Sequence, residues 1–245
     1  MSPEEARTAF TISSTFADAL RVYRLLFQRS VIAAAAVYGA IALIELARHS
    51  VSGPVAAVVG VAAFASTTAG PLLVQGALVE IVRNVHEGRA AEKIGVLFAI
   101  SGERFWRLLG ASIIYVCGVL FGLVLFIVPG VLTAARWCLL APLVMLEGNT
   151  VGDARFRSAE LVKGHTGKVL ACVVLAYLID AAVVWGLFLS NVDFGTYTLL
   201  TFVWSALTAP LQAHVLTVVY YRLADPSRPI IAPTVLAWNS VWEGR

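Results

Sequence analysis

Long apolar stretches alternate with short charged segments along this chain. Apolar runs cover residues 30–47, 54–82, 108–128, 129–146, 169–190 and 198–221. Each is close to or above the ~20 residues that carry a helix across ~30 Å of hydrocarbon. Before the first run, Phe16, Ala19, Leu20, Tyr23, Leu26 and Phe27 share one helical face and Arg21, Arg24, Gln28 and Arg29 fall largely on the other. That spacing predicts a helix lying in the headgroup plane. Residues 82–107 and 148–168 have a similar character. Capping boxes are predicted at Thr15-x-x-Asp18 and Thr150-x-x-Asp153. Pro71 and Pro210 interrupt the second and sixth runs, which predicts a kink near Pro71, and Pro129-Gly130 reads as the tight turn between the third and fourth.

The pattern repeats. Glu87-Gly88 recurs as Glu147-Gly148 sixty residues later, Arg107-Leu108-Leu109 matches Lys168-Val169-Leu170 after a one-residue slip, and Pro71 to Arg83 has the same separation as Pro210 to Arg222. The predicted fold is an all-α integral membrane protein. Six transmembrane helices are arranged as three repeats, about 15–85, 86–147 and 148–223, each a surface helix followed by a helical hairpin. Residues 1–14 and 224–245 are expected to be polar tails, with 230–242 able to rest on the membrane.

Composition agrees with this reading: 59% of the 245 residues are hydrophobic and 13% charged, with a mean hydropathy of +0.83. A soluble domain carries about 25% charged residues. The net charge of +3 matters less than its placement. If both termini face the cytoplasm, sixteen of the eighteen Lys and Arg lie in inside segments, leaving Arg48 outside and Arg136 within a span. The positive-inside rule then orients the protein in the cell inner membrane. No basic nucleic-acid surface is expected. The opening MSPEEARTAF lacks the features of a cleaved signal, so insertion through the first helix is expected. Cys117, Cys138 and Cys172 sit in separate apolar segments without metal-ligand spacing and read as small core residues. Most of the six tryptophans read as belt or packing residues.

The stretch from Val128 to Leu170 contains Pro129-Gly130, Arg136-Trp137, Pro142, Glu147-Gly148 and a Ser158-x-x-Leu161-Val162-x-Gly164 segment. Over these roughly 45 residues it resembles the bacterial membrane domain named after glycerophosphoryl diester phosphodiesterases. The resemblance implies a polytopic bacterial membrane protein with links to the envelope or its lipids. The phosphodiesterase chemistry of that family's name belongs to a separate barrel domain, for which this chain has no room, and no catalytic residues carry over.

An ionisable residue inside a span costs at least ~2.5 kcal/mol on insertion scales and is a functional candidate by default. Arg136, Asp180 and His214 meet that description, with Gln212 and Gln75 as neutral company. Arg136 and Asp180 have two readings: a structural ion pair between the fourth and fifth spans, or an Arg136 that holds a phosphate or carboxylate headgroup. His214 and Gln212, with Gln75, read as the lining of a polar cavity or as interhelical hydrogen-bond partners. Glu45 and Glu80 lie near span ends and are expected to reach water. Gly118-x-x-x-Gly122 allows close helix contact, within one bundle or in a dimer.

No nucleophile-base pair, phosphate loop, dinucleotide fingerprint or metal motif occurs, and no cofactor is expected. The reading is therefore a non-catalytic membrane protein that binds or moves an anionic lipid or envelope precursor, with the headgroup at Arg136. Two alternatives remain: a scaffold that docks a protein partner through its cytoplasmic surface helices, and a proton-coupled transporter of small solutes. Membrane lipid is the expected partner, nucleic acid is not, and the oligomeric state stays open.

Overall fold

Helix α1 runs without interruption from Ile12 to Ser50, in a computed structural model that describes residues 10–89, 92–233 and 235. The sequence places a surface helix before a separate first span, but no break exists near Ser30. No glycine or proline interrupts the ladder there, and Ser30 is itself fully buried. At ~1.5 Å per residue the 39 residues extend about 58 Å, well beyond the hydrocarbon thickness. The predicted cap also moves. Thr11 is the N-cap, its hydroxyl accepting from the Ser14 amide at 3.3 Å, whereas Thr15 is buried in the first turn and donates to the Thr11 carbonyl at 2.8 Å.

Helix α2 (Pro54–Glu87) begins with proline in its first turn, where amides have no intrahelical acceptor, and keeps Pro71 inside a continuous helix. It ends on Gly88 in the left-handed conformation, φ 69°, and the Arg89 amide reaches back to the Asn84 carbonyl at 2.8 Å. A short α3 (Ile94–Glu103) leads to α4 (Phe105–Leu125), α5 (Ile127–Trp137) and α6 (Leu140–Leu146), after which Gly148 takes φ 68°. Helix α7 (Val151–Val162) is capped by Thr150 as predicted, with the Asp153 amide donating to the Thr150 hydroxyl at 3.3 Å and that hydroxyl donating to the Asp153 carboxylate at 2.6 Å. Helices α8 (Thr166–Leu189) and α9 (Phe194–Ala224) complete the bundle.

No strand occurs among the described residues. Six segments are long and apolar enough to cross a membrane: α1, α2, α4, α5 with α6, α8 and α9. Most of their surface is apolar and exposed; Val58, Phe64, Phe121, Val124, Leu178 and Phe188 all face outward. Such a surface is stable against lipid and not against water. The all-α membrane fold is therefore present, and the protein is multi-pass. The tightest core lies toward the arginine-bearing helix ends, where Leu78, Val82, Leu97, Leu108, Leu143, Met145 and Val218 are almost fully buried. Helix α9 packs along α1, and α6 sits against α2, α4 and α7.

The turn of the second hairpin falls at Phe126, in extended conformation with φ −164° and ψ 155°, rather than at Pro129-Gly130. Pro129 lies in the first turn of α5, where the amide it lacks would have had no helical partner. Gly130 serves a different purpose. A Cβ on Gly122 would come within 2.7 Å of the Gly130 Cα, so two glycines let α4 and α5 touch backbone to backbone. Gly118, the other half of the small-residue motif, lies under Trp137, whose ring would be 2.0 Å from an added Cβ. Both glycines of the motif thus pack within one chain.

The first nine residues and residues 236–245, which include Trp238 and Trp242, lie outside the described residues. Ile230, expected to rest on the membrane, is instead buried against the protein, its carbonyl 3.2 Å from His86 Nδ1, and the Ala232 amide donates to the Val85 carbonyl at 3.2 Å.

Candidate functional site

The fourth apolar segment is broken. Between α5 and α6, Cys138 and Leu139 leave the helical ladder, freeing the Arg136 carbonyl and the Leu139 amide. Ser158 of α7, fully buried, meets both: its hydroxyl donates to the Arg136 carbonyl at 2.6 Å and accepts from the Leu139 amide at 3.4 Å. A break in a membrane helix is stable only where protein groups replace the lost backbone bonds. One serine does that here and pins α7 across the break.

Beside the break is a cleft of about 480 Å³. Its walls come from α4 (Ala111, Ser112, Tyr115, Val116), from Trp137, Cys138, Leu140 and Ala141 at the break, and from α8 (Val173, Val174, Tyr177), with Gln75 and Leu216 also lining it. The lining is chiefly apolar, with Gln75, Ser112, Tyr115 and Tyr177 as the polar groups. That mixture suits an amphipathic ligand. A smaller cavity of about 180 Å³ adjoins it through the shared residues Gln75 and Tyr177 and is also lined by Tyr38, Pro71 and Gln212.

The five residues singled out in the sequence separate into distinct settings. Arg136 and Asp180 form no ion pair. Arg136 is exposed on α5, with no side-chain hydrogen bond or carboxylate partner among the described residues. Asp180 faces α9 and accepts from the Thr208 hydroxyl at 2.8 Å. Gln75 and Gln212 do come together around the smaller cavity, and Gln212 Nε2 is buried there without a partner. His214 does not join them. Two residues after Gln212 along a helix, it points to a different side, is completely buried, and places Nε2 3.2 Å from the Ser30 hydroxyl. Its role is to join α9 to α1. Near it, Tyr23 of α1 donates to the Leu207 carbonyl of α9 at 3.0 Å, a second bond between these helices.

Three further residues emerge only in three dimensions. Arg155 of α7 lies with its guanidinium 5.5 Å from the Trp137 ring centroid and 4.7 Å from that of Phe156. Ser158 closes the break. Glu80, expected to reach water, is instead buried, at 4% exposure, with Arg83 and Arg104 each 3.4 Å from its carboxylate. Arg104 also donates to the Met145 carbonyl, so Glu80 ties α2 to the end of α6. The Glu80–Arg83 spacing is visible in sequence; the approach of Arg104 is not. Glu45 does lie at a span end, paired with Arg48 at 2.8 Å.

Comparison with known proteins finds no family model, no curated protein and no solved structure that matches this chain.

Proposed function

We propose that this is a non-catalytic protein of the bacterial inner membrane that binds or moves an amphipathic lipid or envelope precursor with an anionic headgroup. The observation that carries this reading is the cleft beside the broken fourth segment, chiefly apolar in its walls, whose lining residue Trp137 directly follows an exposed arginine without an internal counter-charge, Arg136. The acyl portion lies between α4 and α8, and the headgroup sits at Arg136. An unpaired guanidinium at membrane depth costs at least ~2.5 kcal/mol, and an anionic ligand offsets that cost. The absence of a bond to Asp180 removes the structural explanation for Arg136 and so favours the ligand reading. In this proposal the arginine-rich helix ends face the cytoplasm, in keeping with the placement of sixteen of eighteen basic residues. The resemblance to the phosphodiesterase-associated membrane domain points the same way.

Native mass spectrometry of the full chain, extracted gently from its own membrane, tests this. The expected result is a co-purifying anionic lipid whose retention fails in Arg136→Gln while the thermal midpoint does not fall. A lipid-free protein, or one carrying a stoichiometric protein partner instead, overturns the reading in favour of a scaffold.

A further inference from the structure

Most arginines in this structure are committed. Arg21, Arg48, Arg83, Arg89, Arg104, Arg157 and Arg222 each lie within 4.0 Å of a carboxylate. Arg29 and Arg107 donate to the backbone carbonyls of Glu92 and Gly148. Arg24, Arg136, Arg155 and Arg228 differ: among the described residues none of their side chains has a carboxylate or carbonyl acceptor, and two of them, Arg136 and Arg155, adjoin Trp137, one in sequence and one by ring contact. Arg136 precedes Trp137 in the chain, and Arg155 rests on the Trp137 ring, which forms part of the cleft wall.

Arg155 is also held in place. It lies one turn before Ser158 on α7, and Ser158 is bonded to both sides of the break that ends in Trp137 and Cys138. Stacking on Trp137 and Phe156 uses the face of the guanidinium and leaves its N–H edge available. The carboxylates nearest in sequence are engaged elsewhere. Asp153 accepts from Thr150, Glu160 pairs with Arg157, and Glu147 takes the Tyr220 hydroxyl at 2.9 Å. Two arginines that the protein does not neutralise therefore adjoin the Trp137 wall of the cleft, Arg155 by ring contact and Arg136 as the preceding residue, whose carbonyl is bonded to Ser158.

We infer that the headgroup bound at this cleft is a phosphate with two negative charges, a monoester or a diphosphate, and that Arg155 and Arg136 hold it together. The inference rests on the lipid-binding reading above and names the ligand class of that same site. A phosphodiester has one charge and two non-bridging oxygens, both of which a single bidentate guanidinium occupies. It would leave the second arginine uncompensated. A monoester carries about −1.5 to −2 charge near pH 7 and three terminal oxygens, enough for two guanidinium forks.

The test is a competition, read by native mass spectrometry, between phosphatidic acid and phosphatidylglycerol of identical acyl chains for the full-length protein, with inorganic phosphate in a third arm. Phosphatidic acid is expected to be retained about tenfold better than phosphatidylglycerol. Arg155→Gln should bring phosphatidic acid down to the phosphatidylglycerol level while leaving phosphatidylglycerol itself unchanged. Arg155→Lys, which keeps the charge and loses the fork, should fall between. Equal retention of the two lipids by the unaltered protein overturns the dianionic headgroup and leaves the lipid reading standing, as does an unchanged preference in both variants. Failure to retain either lipid removes the lipid reading itself. Inorganic phosphate that displaces phosphatidic acid at equal concentration overturns the lipid as the source of the phosphate.

Discussion

The arginine-rich ends of the helices and the rim of the cleft carry the same kind of residue and use it in opposite ways. At the helix ends, Glu80 draws together Arg83 and Arg104, Asp18 holds Arg222 at 2.6 Å, and Tyr220 reaches Glu147. These contacts join α2 to α6, α1 to α9 and α9 to the end of α6. Their charges are neutralised inside the protein and hold the fold. At the rim, Arg136 and Arg155 have no such partners, although α7 is anchored firmly beside them. A cation in this protein is therefore informative when its surroundings are ordered and its charge is left open, not merely when it is deep in an apolar segment.

The largest loss of stability is expected at Glu80. Glu80→Ala removes the acid and leaves two partly buried arginines facing each other's charge. A loss of roughly 3–5 kcal/mol is expected, as for other buried pairs deprived of one partner. Unfolding with a denaturing detergent should show it; a loss below about 1 kcal/mol would move Glu80 out of the structural group.

Ser158→Ala acts at the junction between the two regions. It unpairs the Arg136 carbonyl and the Leu139 amide in an apolar setting, so about 1–3 kcal/mol of stability should be lost. Because α7 carries Arg155, headgroup preference should weaken at the same time. Stability lost with lipid preference intact would separate the break from the rim.

The smallest loss is expected at Arg136. Arg136→Gln alone should not lower stability, since an exposed side chain without protein partners has little to lose and the change relieves the cost of an unpaired charge at membrane depth. Combined with Asp180→Asn, the two changes should add within about 0.5 kcal/mol, the behaviour of residues that do not touch. A coupling energy well above that in a double-mutant cycle would restore the ion pair that the structure lacks.

Much of the architecture was legible in the sequence because lipid imposes a simple rule: a helix must be long and apolar to cross, and must end where charges or turn residues begin. All six apolar runs appear as helical segments, and Thr150 caps α7 where the sequence placed it. Local signals misled where two patterns meet. An amphipathic helix and a span share α1 because nothing interrupts the ladder at Ser30. Pro129-Gly130 looks like a turn, yet proline is equally at home in the first turn of a helix.

The site was only half legible. Arg136 and Asp180 were found because charge in an apolar run is conspicuous, and Gln75 and Gln212 because each follows a proline. Whether any two of them meet depends on helix rotation and on which neighbour is adjacent, and neither is encoded locally. Arg155 gave no distinct signal, being one basic residue in a basic amphipathic segment; its importance arises from a contact with Trp137 across a break in the chain.

That this is a multi-pass helical membrane protein can be read from the order of residues alone, because hydrophobicity over about twenty residues is a sum over neighbours in the chain. Which charges are paired and which are left open follows only once the helices are packed together. Pairing is a matter of a few ångströms between helices far apart in sequence, set by small residues such as Gly118 and by a single hydroxyl, Ser158, at the break.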